Sequence, residues 1–284
     1  MSGWQSALRA GKVQVGLGLL IILLLVALLA PVLAPHDPRE QDILNTLTPP
    51  AWDAEGSAEY PMGTDSLGRC ILSQVIYGSR TALTVAFAAA TGSMLLGCLL
   101  ALVAGYLGGK TDWLVTRMVD LWMSFPPVVL SLLLMVGLGT GVRNVVLAIV
   151  LVDWTRFCRV VRSDVIVTRR RDYVTAARLL GFSHLRTIIR EILPAAAPLM
   201  ITMFSLEMGI AVIVEATLSF VGLSVGADVP AWGVMIADGR GYVHQAPWAM
   251  IAPMIAIFAA ILAFNLLGDG LRSALDPRLR TSRI

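Results

Sequence analysis

The sequence predicts an all-α integral membrane protein with six transmembrane helices. Of its 284 residues, 57% are apolar or aromatic and only 14% are charged, against about 25% charged in a soluble chain. Mean hydropathy is +0.77. The apolar residues also fall in uncharged runs of about 20, the length a helix needs to cross a bilayer core of roughly 30 Å. Short alternating segments of the kind a membrane β-barrel uses are missing from the pattern. This composition excludes a soluble enzyme, a disordered chain and a nucleic-acid-binding module.

Taken in order, residues 15–34 form an uncharged run bounded by Pro31 and Pro35. The run exceeds the about 7–15 residues of a signal-peptide core, so it reads as a retained span. The second run is 81–107. The third, 121–142, carries Pro126 and Pro127, which a membrane helix tolerates by kinking. The fourth, 144–161, is the least apolar because it holds Asp153, Arg156 and Arg159; Asp153 and Arg156 sit one turn apart and read as a local ion pair. The fifth, 195–223, contains Glu207 and Glu215, and the sixth is 246–268.

Basic residues favour the cytoplasmic face in short loops. With the N-terminus inside, 17 of the 22 Lys and Arg residues fall on the inner side, including Lys12, Lys110, Arg117 and the arginines of 156–190. The outer segment instead carries Asp37, Glu40, Asp42, Asp53, Glu55, Glu59 and Asp65. Both termini are therefore expected in the cytoplasm, and the positive net charge is a property of that face. Cys70, Cys98 and Cys158 show no paired spacing, and His36, His184 and His244 share no ligand spacing. Gly109-Lys110-Thr111 imitates a phosphate loop, but Ala104 stands where that motif needs glycine. No metal site, nucleotide site or catalytic set is expected in this chain.

One inner loop, 162–190, is long and organised, with seven arginines and two aspartates. Asp172 stands at an N-cap position before a short helix, Tyr173 to Leu180, that Gly181 ends. A second helical stretch runs from His184 and is expected to stop at Pro194. The small Ala176-Ala177 pair leaves room for another protein to approach the backbone. In the membrane, Glu207 and Glu215 read equally as lining for a path or as a bundle-interior pair, because a charge at mid-bilayer is kept from lipid.

The stretch 172–181 with Ile192-Leu193-Pro194 resembles the EAA loop of ATP-binding-cassette (ABC) importer permeases, with Thr175 in place of the usual glutamate. Three further stretches resemble the dipeptide, oligopeptide and nickel branch of that family. They are Gly63-Thr64-Asp65-Ser66-Leu67-Gly68-Arg69, the run Glu215 to Leu223 with Trp232-Gly233, and Asn265 to Arg272 with Leu275-Asp276-Pro277. The resemblance covers about 60–280 and is greatest to the second, C-type, permease subunit. It implies the type I ABC importer permease fold, with a cytoplasmic N-terminus 1–12, a first transmembrane helix 13–34 and a periplasmic segment 35–80. A five-helix permease core 81–270 follows, including the cytoplasmic coupling loop 162–194, and then a cytoplasmic tail 271–284.

By the same resemblance, Tyr173, Thr175, Ala176, Ala177, Gly181 and Pro194 belong to the ATPase-coupling loop. Glu207, Glu215 and Ser219 are the expected residues of the translocation path or subunit interface. The implied partners are a homologous second permease subunit, two ABC ATPase subunits that hold ATP and magnesium, and a periplasmic or lipid-anchored solute-binding protein. The implied solute is a di- or oligopeptide, with nickel or a metal or opine-type complex as the alternative; an ion-coupled carrier or channel is the more distant reading.

Overall fold

The computed structural model describes residues 11–226 and 228–275. Most of the N-terminal segment, including Arg9, and the end of the tail, with Leu275-Asp276-Pro277 in part and Arg278, Arg280 and Arg283, lie outside the described residues. Among the described residues every regular element is helical, apart from one isolated bridge between Thr64 and Cys70.

The chain begins with α1 (Gly11–Leu28) and a short helical turn, Ala30–Leu33. An irregular segment with a 3₁₀ turn, Ile43–Asn45, leads into α2 (Ile71–Leu107). This helix starts ten residues before the uncharged run, inside the segment assigned to the outer loop, because Ser73 and Gln74 have bonding partners there. Ser73 accepts from the His36 N–H at 3.1 Å, and Gln74 donates to Asp65 at 2.9 Å. α2 is the spine of the bundle. Ala82, Ala86 and Ala90 pack in one buried cluster, Val85 and Ala89 in a second, and Ala101 and Ala104 in a third. Small side chains allow the close helix approach on which packing within a membrane depends.

The third expected span is broken. Helix α3 (Gly109–Met123) ends before the prolines, and α4 (Pro127–Leu138) leaves it at an angle of 87°. Pro126 lies in an extended conformation at φ −58°, ψ 126°. Two successive residues without N–H groups, each restricting the residue before it, break the helix where one proline would bend it. With 12 residues, α4 is about 18 Å long and shorter than a bilayer core.

Helix α5 (Val142–Thr168) runs about two turns beyond its apolar stretch. Its charges are paired sideways: Arg159 donates to Asp120 of α3 at 2.8 Å, and Arg162 forms a two-point bond with Asp112 of α3. Short α6 (Asp172–Leu179) is followed by α7 (His184–Phe220). The expected stop at Pro194 does not occur. Residues 188–192 form a π turn, with the Leu193 N–H bonded to the Ile188 carbonyl five residues back, and Pro194 falls in the next turn. The wider turn absorbs a residue that cannot donate and whose ring needs room. α8 (Trp232–Gly239) and α9 (Trp248–Leu275) complete the fold.

Among the described residues, α1, α2, α7 and α9 are each long and apolar enough to cross a membrane, and the bent α3–α4 pair qualifies as one broken span.

Candidate functional site

Helix α7 joins two differently built ends of the molecule. Its start lies beside the end of α2, where the Tyr106 hydroxyl meets His184 Nδ1 at 3.1 Å. Arg169 donates to the carbonyls of Gly105 and Tyr106 at 3.0 and 2.8 Å, capping α2. This end gathers Lys110, Arg162, Arg169, Arg170, Arg171, Arg178, Arg186 and Arg190.

Helix α6 sits on this end. Asp172 is its first helical residue, not its cap; the cap position belongs to Arg171, which makes no side-chain capping bond. The acidic group still faces the positive end of the helix dipole from the first turn. The helix closes through two backbone bonds, Gly181 N–H to Arg178 and Phe182 N–H to Ala177, at 3.0 and 3.1 Å. That closure requires a left-handed residue, and Gly181 supplies it at φ 85°. Arg186 covers the ring of Phe182 at 4.0 Å, and Ser183 accepts from the Arg186 N–H to start α7.

The faces of α6 are sorted. Val174 and Ala177 are buried against the chain, Ala177 with 7% exposure. The alanine pair is therefore split: Ala176 faces outward with Tyr173 and Thr175, and Ala177 faces inward. The outward apolar surface comes instead from Leu179 and Leu180, exposed by 85% and 79%, together with Leu185 and Ile189. Pro194 lies two turns inside α7, away from this surface.

At the opposite end, Asp65 organises the segment before α2. Its carboxylate accepts from the N–H groups of Leu67 and Arg69, from Arg69 Nε at 2.6 Å and from Gln74. Arg69 reaches on to Asp238 of α8 at 3.2 Å. Trp232 of α8 donates to the Val75 carbonyl, Thr81 to the Pro230 carbonyl, and Trp248 to the Thr64 carbonyl. At Gly233 of α8 a side chain would collide with the backbone of Ala216 on α7, so α8 lies directly on the end of that helix. The Gly-Thr-Asp-x-x-Gly-Arg run is thus a clasp between the irregular segment, α2 and α8. Asp42 caps the 3₁₀ turn nearby; bonds from the Asn45 side chain and then the Leu44 N–H hold its carboxyl below the ordinary range.

Glu207, Glu215 and Ser219 all lie on α7 and are closed inside the chain, with 3%, 1% and 2% exposure. Glu215 Oε1 accepts from Ser219 at 2.6 Å and from Ser224 at 3.3 Å. Glu207 lies on the α5 side, and the local Asp153–Arg156 pair extends across to it: Arg156 stands 3.6 Å from Asp153 and 3.9 Å from Glu207. The Arg69–Asp238 bond, the Ser224 contact and this cross-helix bridge are absent from the sequence reading, because each joins residues far apart in the chain or across a loop. Of the clasp, the sequence singled out Asp65 and Arg69 only as members of the Gly-Thr-Asp-x-x-Gly-Arg run.

These features together define a transport-system membrane subunit, and the comparisons agree. The family described as binding-protein-dependent transport system inner membrane component matches residues 93–281. The chain belongs to this family and is a multi-pass inner-membrane protein. More particularly, the N-terminal TM domain of oligopeptide transport permease C matches residues 13–50.

The chain is 37% identical to the di/tripeptide transport system permease protein DppC of Pseudomonas aeruginosa (strain UCBPP-PA14), over 98% of this chain and 92% of that protein. It is also 37% identical to the nickel transport system permease protein NikC of Escherichia coli (strain K12), over 95% of each. A solved structure titled as an amino acid ABC transporter with histidines superposes with a TM-score of 0.52 at 20% identity, covering 73% of this chain and 95% of that one. That likeness shows the fold.

Proposed function

We propose that this chain is the C-type permease subunit of an ATP-driven importer that carries di- or oligopeptides across the bacterial inner membrane. It spans the membrane six times, with the α3–α4 pair and α5 as the third and fourth spans and both termini in the cytoplasm. The segregation of charge supports this orientation: the arginine-rich end holds α6, and the segment with Asp37, Glu40, Asp42 and Asp65 lies at the other end of α7. The chain itself does no bond chemistry. It pairs with a homologous second permease subunit, receives solute from a periplasmic or lipid-anchored binding protein, and is driven by two ATPase subunits that hold ATP and magnesium.

The observation that carries the reading is the outward face of α6. Leu179 and Leu180 stand exposed on a short helix whose inner face, Val174 and Ala177, is packed on the start of α7. An apolar surface among arginines fits a protein partner, and a push on it is delivered straight into α7 as a rigid-body displacement.

Peptide is the first substrate reading, from the di/tripeptide permease relative; nickel is the second, because the nickel permease is equally identical to this chain. Vesicles holding the full set of subunits, with ATP on the α6 side, test both: they are expected to accumulate a labelled dipeptide. Accumulation of nickel in place of peptide transfers the reading to the second substrate. Uptake without ATP, driven by an ion gradient alone, contradicts the importer.

A further inference from the structure

Near the middle of α7, Glu207 Oε1 is buried without a hydrogen-bond partner. Its other oxygen and the Asp153 carboxyl on α5 flank the same Arg156 guanidinium. Both residues are almost wholly buried, at 3% and 2% exposure. Arg156 is the cation between them, 3.6 Å from Asp153 Oδ1 and 3.9 Å from Glu207 Oε2. Two buried carboxyls on neighbouring helices therefore share a single guanidinium.

Among the described residues, the neighbouring elements supply no second cation. On α5, Arg159 is committed to Asp120, which also meets Arg117, and Arg162 is committed to Asp112. α2 carries Ser93, whose Oγ is itself buried and unpartnered. α9 brings the neutral amide of Asn265 beside Gly209. On α4, Ser131 donates to its own helix, and Glu215, two turns along α7, is bonded to Ser219 and Ser224. Two buried carboxylates against one guanidinium would leave a net negative charge in the membrane interior, where an unpaired charge is costly. Two facing carboxylates also repel, and one of them then gives up its ionised state.

We propose that Asp153 and Glu207 bind one proton between them, forming a proton-binding site that bridges α5 and α7 within the membrane. The proton turns two facing acceptors into an O–H···O bond and occupies the free oxygen of Glu207. With Arg156 it brings the cluster to neutrality. Its loss at alkaline pH leaves two like charges across the α5–α7 contact. The site is independent of which solute is carried.

Infrared difference spectra of the whole assembled complex, recorded in light and heavy water, test this. A protonated carboxylic acid band at neutral pH is expected, and both Glu207→Gln and Asp153→Asn are expected to remove it. The amide of Glu207→Gln reproduces the protonated acid, so that variant is expected to assemble normally and to lose the wild type's drop in melting temperature at alkaline pH. Isotopic labelling of glutamate or aspartate in a Glu215→Gln background locates the band without altering the pair. A band that moves with neither label, or that survives both substitutions, overturns the proposal.

Discussion

At the Ser219 end of α7, the buried carboxylates are bonded within the chain. Asp65 is saturated by Arg69, Gln74 and two backbone N–H groups, and Glu215 by two serine hydroxyls, while Trp232, Trp248 and Thr81 each tie one element to another. At the His184 end, α6 is held by one packed face and a glycine closure, and its other face shows leucines to the outside. The first end is tied together by these bonds and also exposes Ile43, Leu44 and Trp52; the second pairs a packed inner face with an exposed apolar outer one. On the proposed function, the clasped end of α7 is the fixed mount and the α6 end the lever.

The largest expected effect is at the fixed end. Asp65→Ala leaves Arg69 Nε, Gln74 and two backbone N–H groups without their acceptor, with only exposed Asp238 left to Arg69, which costs about 3–5 kcal/mol as for a broken buried pair. Thermal unfolding in detergent measures it. A loss no larger than that of an exposed-site control would mean that the clasp does not hold this end together.

At the lever end the opposite pattern is expected. Leu179→Asp with Leu180→Asp changes side chains already in solvent, so stability shifts by within about 0.5 kcal/mol. ATPase subunits should nevertheless fail to co-purify, and uptake should be lost. Normal assembly of this double variant would remove α6 as the docking surface. Ala177→Arg is a contrasting control, since Ala177 faces inward and the substitution should damage folding first.

Glu215 sharpens the comparison along α7. Glu215→Gln retains an acceptor for Ser219 and Ser224, so assembly and uptake should be close to wild type. Glu215→Leu leaves both hydroxyls unpaired and should cost about 1–3 kcal/mol. A folded, assembled Gln variant without uptake would restore the charge itself to the transport path.

The smallest effect is at Asp42. Its carboxyl is held below the ordinary value of 3.8 by the Asn45 side chain and then the Leu44 N–H. A depressed folded-state pKa contributes stability above 3.8 that is lost as pH falls through the folded value. Protection of the Leu44 N–H from exchange, taken relative to its intrinsic rate at each pH, should therefore fall only in acid, and Asp42→Ala should abolish that dependence.

Much of this architecture was written locally. The apolar runs located α1, α2, α7 and α9, and Asp172 to Gly181 marked α6. The family resemblance agreed with the comparisons. The misjudged boundaries have separate causes. Pro126 and Pro127 act together to break a helix that one proline would have bent, whereas Pro194 is passed because the π turn before it makes room. α5 was read short because its arginines look unfit for a helix until Asp112 and Asp120 appear beside them. Arg69 with Asp238 and Arg156 with Glu207 are contacts between distant segments, and no local spacing encodes them.

The central claim is that α6 faces the cytoplasm as an open docking surface while the clasped end faces out. Single cysteines at Leu179 and at Asp53 test it in sealed cells, since the native Cys70, Cys98 and Cys158 are all buried. A membrane-impermeant thiol reagent added outside should label the Asp53→Cys variant and leave the Leu179→Cys variant untouched. The Leu179→Cys variant should instead cross-link to an ATPase subunit from within. Labelling of Leu179→Cys from outside, with no cross-link, would contradict the account.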